Sequence, residues 1–377
     1  MYNHVKSIAS PTHLAMVDWL KGIAIIMVIL VHYAQSFTLM PWLQKTFQFF
    51  QMGCQIFFVV SAFTICISYT SKKPPYFQFL KHRFSVLAKG WYLAILLHII
   101  VNSLMQIIFS NSTLYNSTFW DIFINLLFLN GFVPGPANNL VVRGGWFVGT
   151  ISIFYLIFPL IYKIYMFKNT WWRKYRYIVF PIASFAASFI ILNLANVISG
   201  KFECTNNSFI YFSIVCQWPC LSVGFSLFDI LSNKDRKKIK LVFPKFLLFL
   251  FLTVIFFYSG INQIFTVIPF MSAVCVFYLF LYLYQVYPDK AYNKLLVKFG
   301  EINFGVYLTQ SFVAWEFADL CKSLILQSVP NISETVIFLL LLPIVLMLSY
   351  WIGKIFLKVS NMIPQIINRI FRICERK

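Results

Sequence analysis

Apolar runs long enough to cross a bilayer recur along the whole chain, separated by short polar or basic stretches. Since a transmembrane helix needs about 20 mainly apolar residues, the pattern predicts ten spanning helices. They are placed at 15–37, 47–69, 84–109, 146–167, 177–199, 209–231, 241–260, 263–287, 299–320 and 334–357. One further apolar segment, 120–133, is short for a span and is predicted to be re-entrant or interfacial.

The Lys and Arg residues between the apolar runs predict the orientation. Basic stretches lie at 72–83, 168–176, 233–240, 290–298 and in the tail, and the loops between them, at 110–119, 200–208, 260–262 and 321–333, are nearly neutral. Cytoplasmic loops carry the excess of Lys and Arg, and the alternation holds only if 120–133 does not cross. We therefore predict an all-α polytopic membrane protein with both termini cytoplasmic.

We predict a single integral-membrane domain over 1–377, with a bundle at 15–357 and a basic cytoplasmic tail at 358–377. The composition agrees, since 60% of the residues are hydrophobic and 11% are charged, whereas a soluble domain has about a quarter charged residues. The net charge of +20 is spread over loop clusters, which argues against a nucleic-acid partner. The cysteines show no metal-ligand spacing, so no metal is expected.

The first span carries three polar residues, Asp18, Lys21 and His32, on an otherwise apolar helix. Lys21 and His32 are eleven residues apart, which is three helical turns plus about 20°, so both project from one face about 16 Å apart. Asp18 lies one turn from Lys21 and can pair with it. Ionisable residues inside a span are candidate functional groups because they are costly in the membrane.

Two interpretations of these residues stay open from the spacing alone. His32 is either a hydrogen-bonded core histidine or a general base, since an imidazole exchanges protons near neutral pH. Lys21 is either half of an interfacial pair with Asp18 that extends to the membrane surface or a cation for a phosphate-bearing ligand. His98 in the third span has the same two interpretations.

Five segments resemble, in order, the motifs of the acyltransferase-3 family of membrane acyltransferases. "DWLKGIAIIMVILVH" is similar to the first-helix signature of a basic residue, ten residues and His. The other four are "GCQIFFVVSAFTI", "FLKHRFSVLAKGWYLAI", "VVRGGWFVGTISIFYLIFPLI" and "FGEINFGVYLTQSFV". The resemblance covers about residues 15–313. Each motif is short, and the specificity comes from finding all five in the right order.

The resemblance implies an O-acetyltransferase of the bacterial cytoplasmic membrane. It would move an acetyl group from cytoplasmic acetyl-CoA, with no permanently bound cofactor, to a hydroxyl of a surface polysaccharide or its lipid-linked precursor. The expected acceptors are the O-antigen of lipopolysaccharide, a capsule or an exopolysaccharide. A hydroxyl could attack the donor directly or through an acetyl-histidine intermediate, and both routes stay open.

The resemblance also implies roles for individual residues. His32 matches the essential His, Lys21 the essential basic residue, and Arg83 one Arg of the family's basic stretch. Lys81 and Lys89 are expected to share phosphate binding with Arg83, and Asp18 to position Lys21. Further positions match the motifs and are expected to support the site: Ser61, Trp146, Tyr155 and Tyr307.

Four positions depart from the family pattern. Val86 stands in place of a second Arg, and Ile151 in place of a Glu. Gln310 stands in place of a His, and Arg143 in place of a Pro. The loss of the Glu puts in doubt a carboxylate role in the fourth motif. The loss of the second Arg puts in doubt the family's mode of donor binding.

Two other functions are compatible with many spans and buried charges. One is a transporter or flippase for a lipid-linked sugar, which a detectable internal repeat would favour. The other is a non-catalytic membrane scaffold, which the loss of the Glu and of the second Arg favours. The five-motif resemblance and the intact pair of Lys21 and His32 favour the enzyme. Glu203, Glu316 and Asp319, near the predicted outer face, are either solvated charges or sugar contacts.

Overall fold

The computed structural model describes residues 11–108, 118–131, 140–199, 209–233, 241–259, 266–286 and 293–374. Within these ranges every regular element is helical. The α-helices are α1 (Pro11–Ala34), α2 (Pro41–Phe49), α3 (Gly53–Lys72), α4 (Tyr76–Ile108), α5 (Phe119–Leu126), α6 (Trp146–Tyr165), α7 (Thr170–Ser199), α8 (Phe209–Phe212), α9 (Ile214–Ser232), α10 (Val242–Ser259), α11 (Val267–Val286), α12 (Lys294–Glu301), α13 (Asn303–Ser311), α14 (Ala318–Ser328) and α15 (Glu334–Cys374). Glu203 lies outside the described residues.

Nine segments of the described chain are long and apolar enough to cross a membrane. They correspond to nine of the ten predicted spans, which confirms the all-α polytopic fold. The predicted span at 299–320 is instead built from short elements, because a π-helical segment, Phe312–Phe317, separates α13 from α14. The eight-residue α5 is too short to cross, in line with the prediction for 120–133. The orientation of the termini stays a prediction.

The chain forms two compact units, and each takes several separate stretches of sequence. Unit 1 comprises Met1–Ala24, Gln51–Phe79 and Thr150–Glu301. Unit 2 comprises Ile25–Phe50, Leu80–Gly149 and Ile302–Lys377.

Helix α9 is the centre of unit 1, where it packs against α3, α7 and α11. The membrane-spanning part of α9 is 83% buried, whereas that of α10 is 11% buried. Helix α9 is therefore surrounded by protein, and α10 presents most of its surface outward. Gly224 of α9 lies against the backbone of α3 at Val59, and a methyl group there would overlap the Val59 carbonyl oxygen. This glycine therefore sets the close approach of α3 and α9.

A buried ion pair joins α7 and α9 in unit 1. Arg176 donates to Asp229 Oδ1 through Nε at 3.1 Å and also through Nη2, and a third bond runs from Arg176 Nη1 to the Tyr165 carbonyl at 3.0 Å. The sequence interpretation of Arg176 as a loop charge is therefore wrong. Helix α7 begins at Thr170 rather than 177, and the carboxylate of Asp229 compensates for the burial of the guanidinium between α7 and α9.

Helices α13 and α15 form the core contact of unit 2. Gly305 of α13 lies against the backbone of Gly353 in α15, so the two helices approach closely. The end of α1 packs on α15 as well, through a stacked ring pair of Tyr33 and Phe338 with centroids 4.6 Å apart. These contacts hold the end of α1, which carries His32, against the elements of unit 2.

Candidate active site

His32 lies in the last turn of α1 and is fixed by a glutamine from α13. Its Nδ1 is 2.7 Å from Gln310 Oε1. An amide oxygen only accepts, so Nδ1 carries the proton and donates. The other ring nitrogen, Nε2, is then the unprotonated one, and it forms no hydrogen bond within the described residues. The contact thus selects the tautomer in which Nε2 can accept a proton.

A tight turn before α6 lies beside the histidine. Gly144 has φ +77°, a conformation that costs residues with a side chain. The hydroxyl of Tyr307 holds the turn from both sides. It donates to the Gly144 carbonyl oxygen at 2.6 Å and accepts from the Phe147 N–H at 3.1 Å. Tyr307, a predicted supporting residue, therefore positions the turn next to His32.

Three side chains lie beside the histidine: Trp315 and Glu316 of the π-helical segment, and Arg143 of the turn before α6. The ring of Trp315 lies 4.4 Å from that of His32 between centroids. The guanidinium carbon of Arg143 lies 4.0 Å from the Trp315 ring centroid. Arg143 Nη1 is also 3.5 Å from Glu316 Oε1. Arg143 remains 32% exposed, so this group provides a cation, a carboxylate and an aromatic face beside His32.

His98, the other histidine considered from the sequence, lies in the interior of unit 2. Both of its ring nitrogens are engaged, Nδ1 with the Ala94 carbonyl and Nε2 with Ser311 Oγ, each at 2.9 Å. The ring also lies against Phe312. With both nitrogens occupied in the structure, His98 fits the interpretation as a core histidine.

Lys21 and Asp18 form the pair that their spacing predicts. Lys21 Nζ is 3.2 Å from Asp18 Oδ1, and both side chains are about a quarter exposed. In unit 1 this part of α1 packs backbone to backbone on α12, with Gly22 against Leu296 and Gly300 against Asp18. Helix α12 is itself basic, with Lys294 and Lys298 on it.

The predicted donor-binding residues of α4 differ in exposure. Lys81 and Lys89 are exposed, whereas Arg83 is partly buried. Val86, which stands where the family pattern has a second Arg, is 54% exposed. Position 86 therefore faces outward and carries no charge in this chain.

Three other predicted residues have local roles in the structure. The backbone carbonyl of Ser61 accepts from the Thr64 hydroxyl at 3.1 Å, and Ser61 belongs to unit 1. Tyr155 also belongs to unit 1 and is partly exposed. Trp146 is buried at the start of α6 in unit 2. Of these three, Trp146 is the one in the same unit as His32.

The replacement of the family Glu is explained by packing. Ile151 is 1% exposed on α6, so the position is buried and apolar. No carboxylate acts there in this chain. In the part of the chain that the structure describes, no cluster of three or more His, Cys, Asp or Glu could hold a metal ion.

Sequence reasoning missed Gln310, Gly144 and Trp315 as neighbours of His32. Gln310 was noted for departing from the last motif, and that motif position was the signal that could have found it.

The comparison with family models agrees with the motifs, since the model described as an acyltransferase domain matches residues 14–354. The chain belongs to the acyltransferase-3 family. It is a multi-pass membrane acyltransferase.

Comparisons of this acyltransferase with curated proteins and with solved structures gave no match. The family assignment therefore rests on the family model, which covers most of the chain. The rival interpretations as a flippase or a scaffold are not needed, because the matched domain is that of an acyltransferase.

Proposed function

We propose that this acyltransferase moves an acetyl group from acetyl-CoA to a hydroxyl of a cell-surface polysaccharide, with His32 as general base. The observation that carries the proposal is the hydrogen bond between His32 Nδ1 and Gln310 Oε1 at 2.7 Å. It leaves the lone pair of Nε2 available for the proton of an incoming hydroxyl. A positioned base of this kind contributes about 10²–10⁴-fold to the rate.

The direct route needs two proton transfers, one to His32 and one from it. The hydroxyl oxygen attacks the thioester carbonyl carbon while His32 Nε2 takes the hydroxyl proton. The C–S bond then breaks, the acetyl ester remains on the sugar, and the thiolate of CoA recovers the proton from the imidazolium. An acetyl-histidine route would use the same nitrogen as nucleophile, and both agree with the tautomer.

On the basis of the motif resemblance, we assign binding of the donor's phosphates to basic residues of α1 and of α4. Lys21, Arg83, Lys81 and Lys89 are the assigned residues, and Asp18 orients Lys21 through the 3.2 Å contact. Lys binds phosphate as a point charge, and Arg can bind two phosphate oxygens at once. The long arm of CoA would follow the polar face of α1 for about 16 Å to His32.

The acceptor would approach His32 past Trp315, Arg143 and Glu316. The Arg143–Glu316 contact is long for a salt bridge, at 3.5 Å, and the two groups offer donors and acceptors that suit sugar hydroxyls. An aromatic face such as that of Trp315 suits the apolar face of a sugar ring. The surface glycans that we propose as acceptors are O-antigen, capsule and exopolysaccharide.

The test uses the purified protein, labelled acetyl-CoA and the host's surface polysaccharide after mild alkaline removal of its O-acetyl groups. His32→Ala is expected to lose at least about 10²–10⁴-fold of the transfer rate while it inserts and purifies normally. His13→Ala, near the start of the same helix, is the matched control and should transfer at the wild-type rate. Near-normal transfer by the His32 variant would refute the proposed role.

A further inference from the structure

We propose that the side-chain amide of Gln310 forms an oxyanion site, with Nε2 donating a hydrogen bond to the thioester carbonyl oxygen during attack. The inference rests on the proposed function and adds a second catalytic residue to it. Gln310 would serve His32 through its oxygen and the substrate through its nitrogen.

The first observation is that this amide is buried with half of its hydrogen-bonding capacity unused. Gln310 is fully buried. Its Oε1 accepts from His32, but Nε2 has no hydrogen-bond partner among the described residues. An unpaired buried polar group costs about 1–3 kcal/mol, and native proteins keep few of them. A donor that bears this cost beside a candidate general base indicates a group that binds a ligand.

The second observation is where Nε2 lies. A methyl group built on Gly144 would be 3.0 Å from Gln310 Nε2 and 3.1 Å from His32 Cε1. The third neighbour of that position is Trp315 Cη2, at 3.6 Å. The missing side chain of Gly144, whose φ is +77°, would therefore face both groups, so Gln310 Nε2 and His32 Cε1 lie on the same side of this turn.

A thioester carbonyl oxygen that reaches this side of the turn would meet the unpaired N–H of Gln310. It would accept from Gln310 Nε2 within the usual range of about 2.7–3.2 Å for N–H···O bonds. His32 Cε1, the carbon bonded to Nε2, faces the same turn, so a hydroxyl that donates to Nε2 would approach the carbonyl carbon from this side. Helix α6 begins two residues later, at Trp146, and its partial positive charge favours an anion there.

The chemistry follows from the same placement. When the hydroxyl oxygen bonds to the carbonyl carbon, the C=O π electrons move to the carbonyl oxygen, which becomes negative. The N–H of Gln310 then donates to that oxygen while Oε1 still accepts from His32 Nδ1–H. When the C–S bond breaks, the carbonyl reforms. A donor aimed at such an oxyanion typically contributes about 10²–10³-fold to the rate.

The same reasoning explains the departure from the family motif. A neutral histidine side chain has one acceptor nitrogen and one N–H donor. A glutamine amide likewise offers an acceptor and a donor, so Gln310 supplies both functions of the His in the motif. A glutamate would supply only the acceptor.

The experiment separates the two ends of the amide. Gln310→Glu keeps the acceptor for His32 Nδ1–H and removes the donor, Gln310→Met removes both, and Gln310→His keeps both. The turnover number is measured at pH 8 with saturating labelled acetyl-CoA and de-O-acetylated host polysaccharide. Gln48→Glu, at an exposed glutamine of α2, is the matched control for the added charge.

We expect Gln310→Glu and Gln310→Met to lose about 10²–10³-fold in turnover, and Gln310→His to stay within about tenfold of the wild type. Gln48→Glu should be unchanged. Turnover by Gln310→Glu within a few-fold of the wild type would overturn the inference, and so would turnover by Gln310→His as low as that of Gln310→Met.

A binding measurement covers the case in which Gln310→Glu does not fold. Acetonyl-CoA keeps the carbonyl group but has no cleavable thioester, and ethyl-CoA lacks the carbonyl. The wild type should bind acetonyl-CoA more tightly than ethyl-CoA, and Gln310→Met should bind the two equally. An unchanged preference in Gln310→Met would refute the donor role. Failure of the proposed function is distinguishable, because the wild-type protein would then transfer no acetyl group at all.

Discussion

Gly144→Ala tests the geometry around His32 with the smallest possible addition. The substitution places one methyl group against the two groups of the site, 3.0 Å from Gln310 Nε2 and 3.1 Å from His32 Cε1. It also requires alanine to adopt φ +77°. The variant therefore has two separable effects, one on stability and one on turnover.

The magnitude of each effect follows from the structure. Left-handed backbone costs alanine about 1–2 kcal/mol, which is the expected loss in the free energy of unfolding. Non-bonded carbon atoms prefer about 3.5–4.0 Å, so the imidazole and the amide have to retreat by roughly half an ångström to one ångström. A misplacement of about 1 Å costs about 10²-fold in rate, or about 2.7 kcal/mol in the activation free energy.

The assay compares the turnover number for labelled acetyl transfer with thermal unfolding in the same detergent. Gly90→Ala is the control, because its methyl group would press on the side chains of Phe304 and Leu308 and so reduce stability without entering the site. We expect both variants to unfold earlier but only Gly144→Ala to lose about 10²-fold in turnover. A folded Gly144→Ala protein with turnover within about threefold of the wild type would show that the placement of His32 and Gln310 beside this turn does not matter for transfer, and would refute the proposed geometry.

Two further predictions concern the turn and the donor. Tyr307→Phe removes the hydroxyl that holds Gly144 and Phe147, so turnover should fall, and the free energy of unfolding should fall by about 1–3 kcal/mol. The control, Tyr92→Phe, loses a 3.1 Å bond to the Leu126 carbonyl and should reduce stability alone. Equal kinetics in the two variants would contradict the role of Tyr307. Lys21→Ala should raise the KM for acetyl-CoA about 10- to 100-fold, since a hydrogen bond to a charged group is worth about 1.5–3 kcal/mol. The control is Lys358→Ala, which should leave this KM unchanged. An unchanged KM for acetyl-CoA in Lys21→Ala would count against phosphate binding by Lys21.

Hydropathy predicted most of the fold because each span needs its own long apolar run. The exceptions arise where a contact across the fold changes the local preference. Arg176 reads as a loop charge until Asp229 supplies its carboxylate. The pattern of apolar residues does not distinguish the π-helical segment at Phe312–Phe317 from an α-helix. The pattern alone therefore indicated one regular helix at 299–320.

The candidate site could be predicted only in part, for a related reason. Helical periodicity and the first motif identify His32 and Lys21 because both lie on one helix. The partner of His32 comes from α13, far away in sequence, and spacing carries no information about that distance. Gly144 was visible only as part of a motif, since the value of a missing side chain depends on what surrounds it.

The ion pair of Arg176 and Asp229 has a consequence for how the protein is made. An ionised side chain without a partner is costly inside a membrane, and Arg176 is buried near the start of α7. Helix α7 is synthesised first, so its guanidinium enters the membrane before the carboxylate of α9 exists. A nascent chain halted between the two helices would hold an unneutralised arginine, and the arrival of α9 would remove that burden. We therefore expect the insertion of α7 to be completed when α9 arrives.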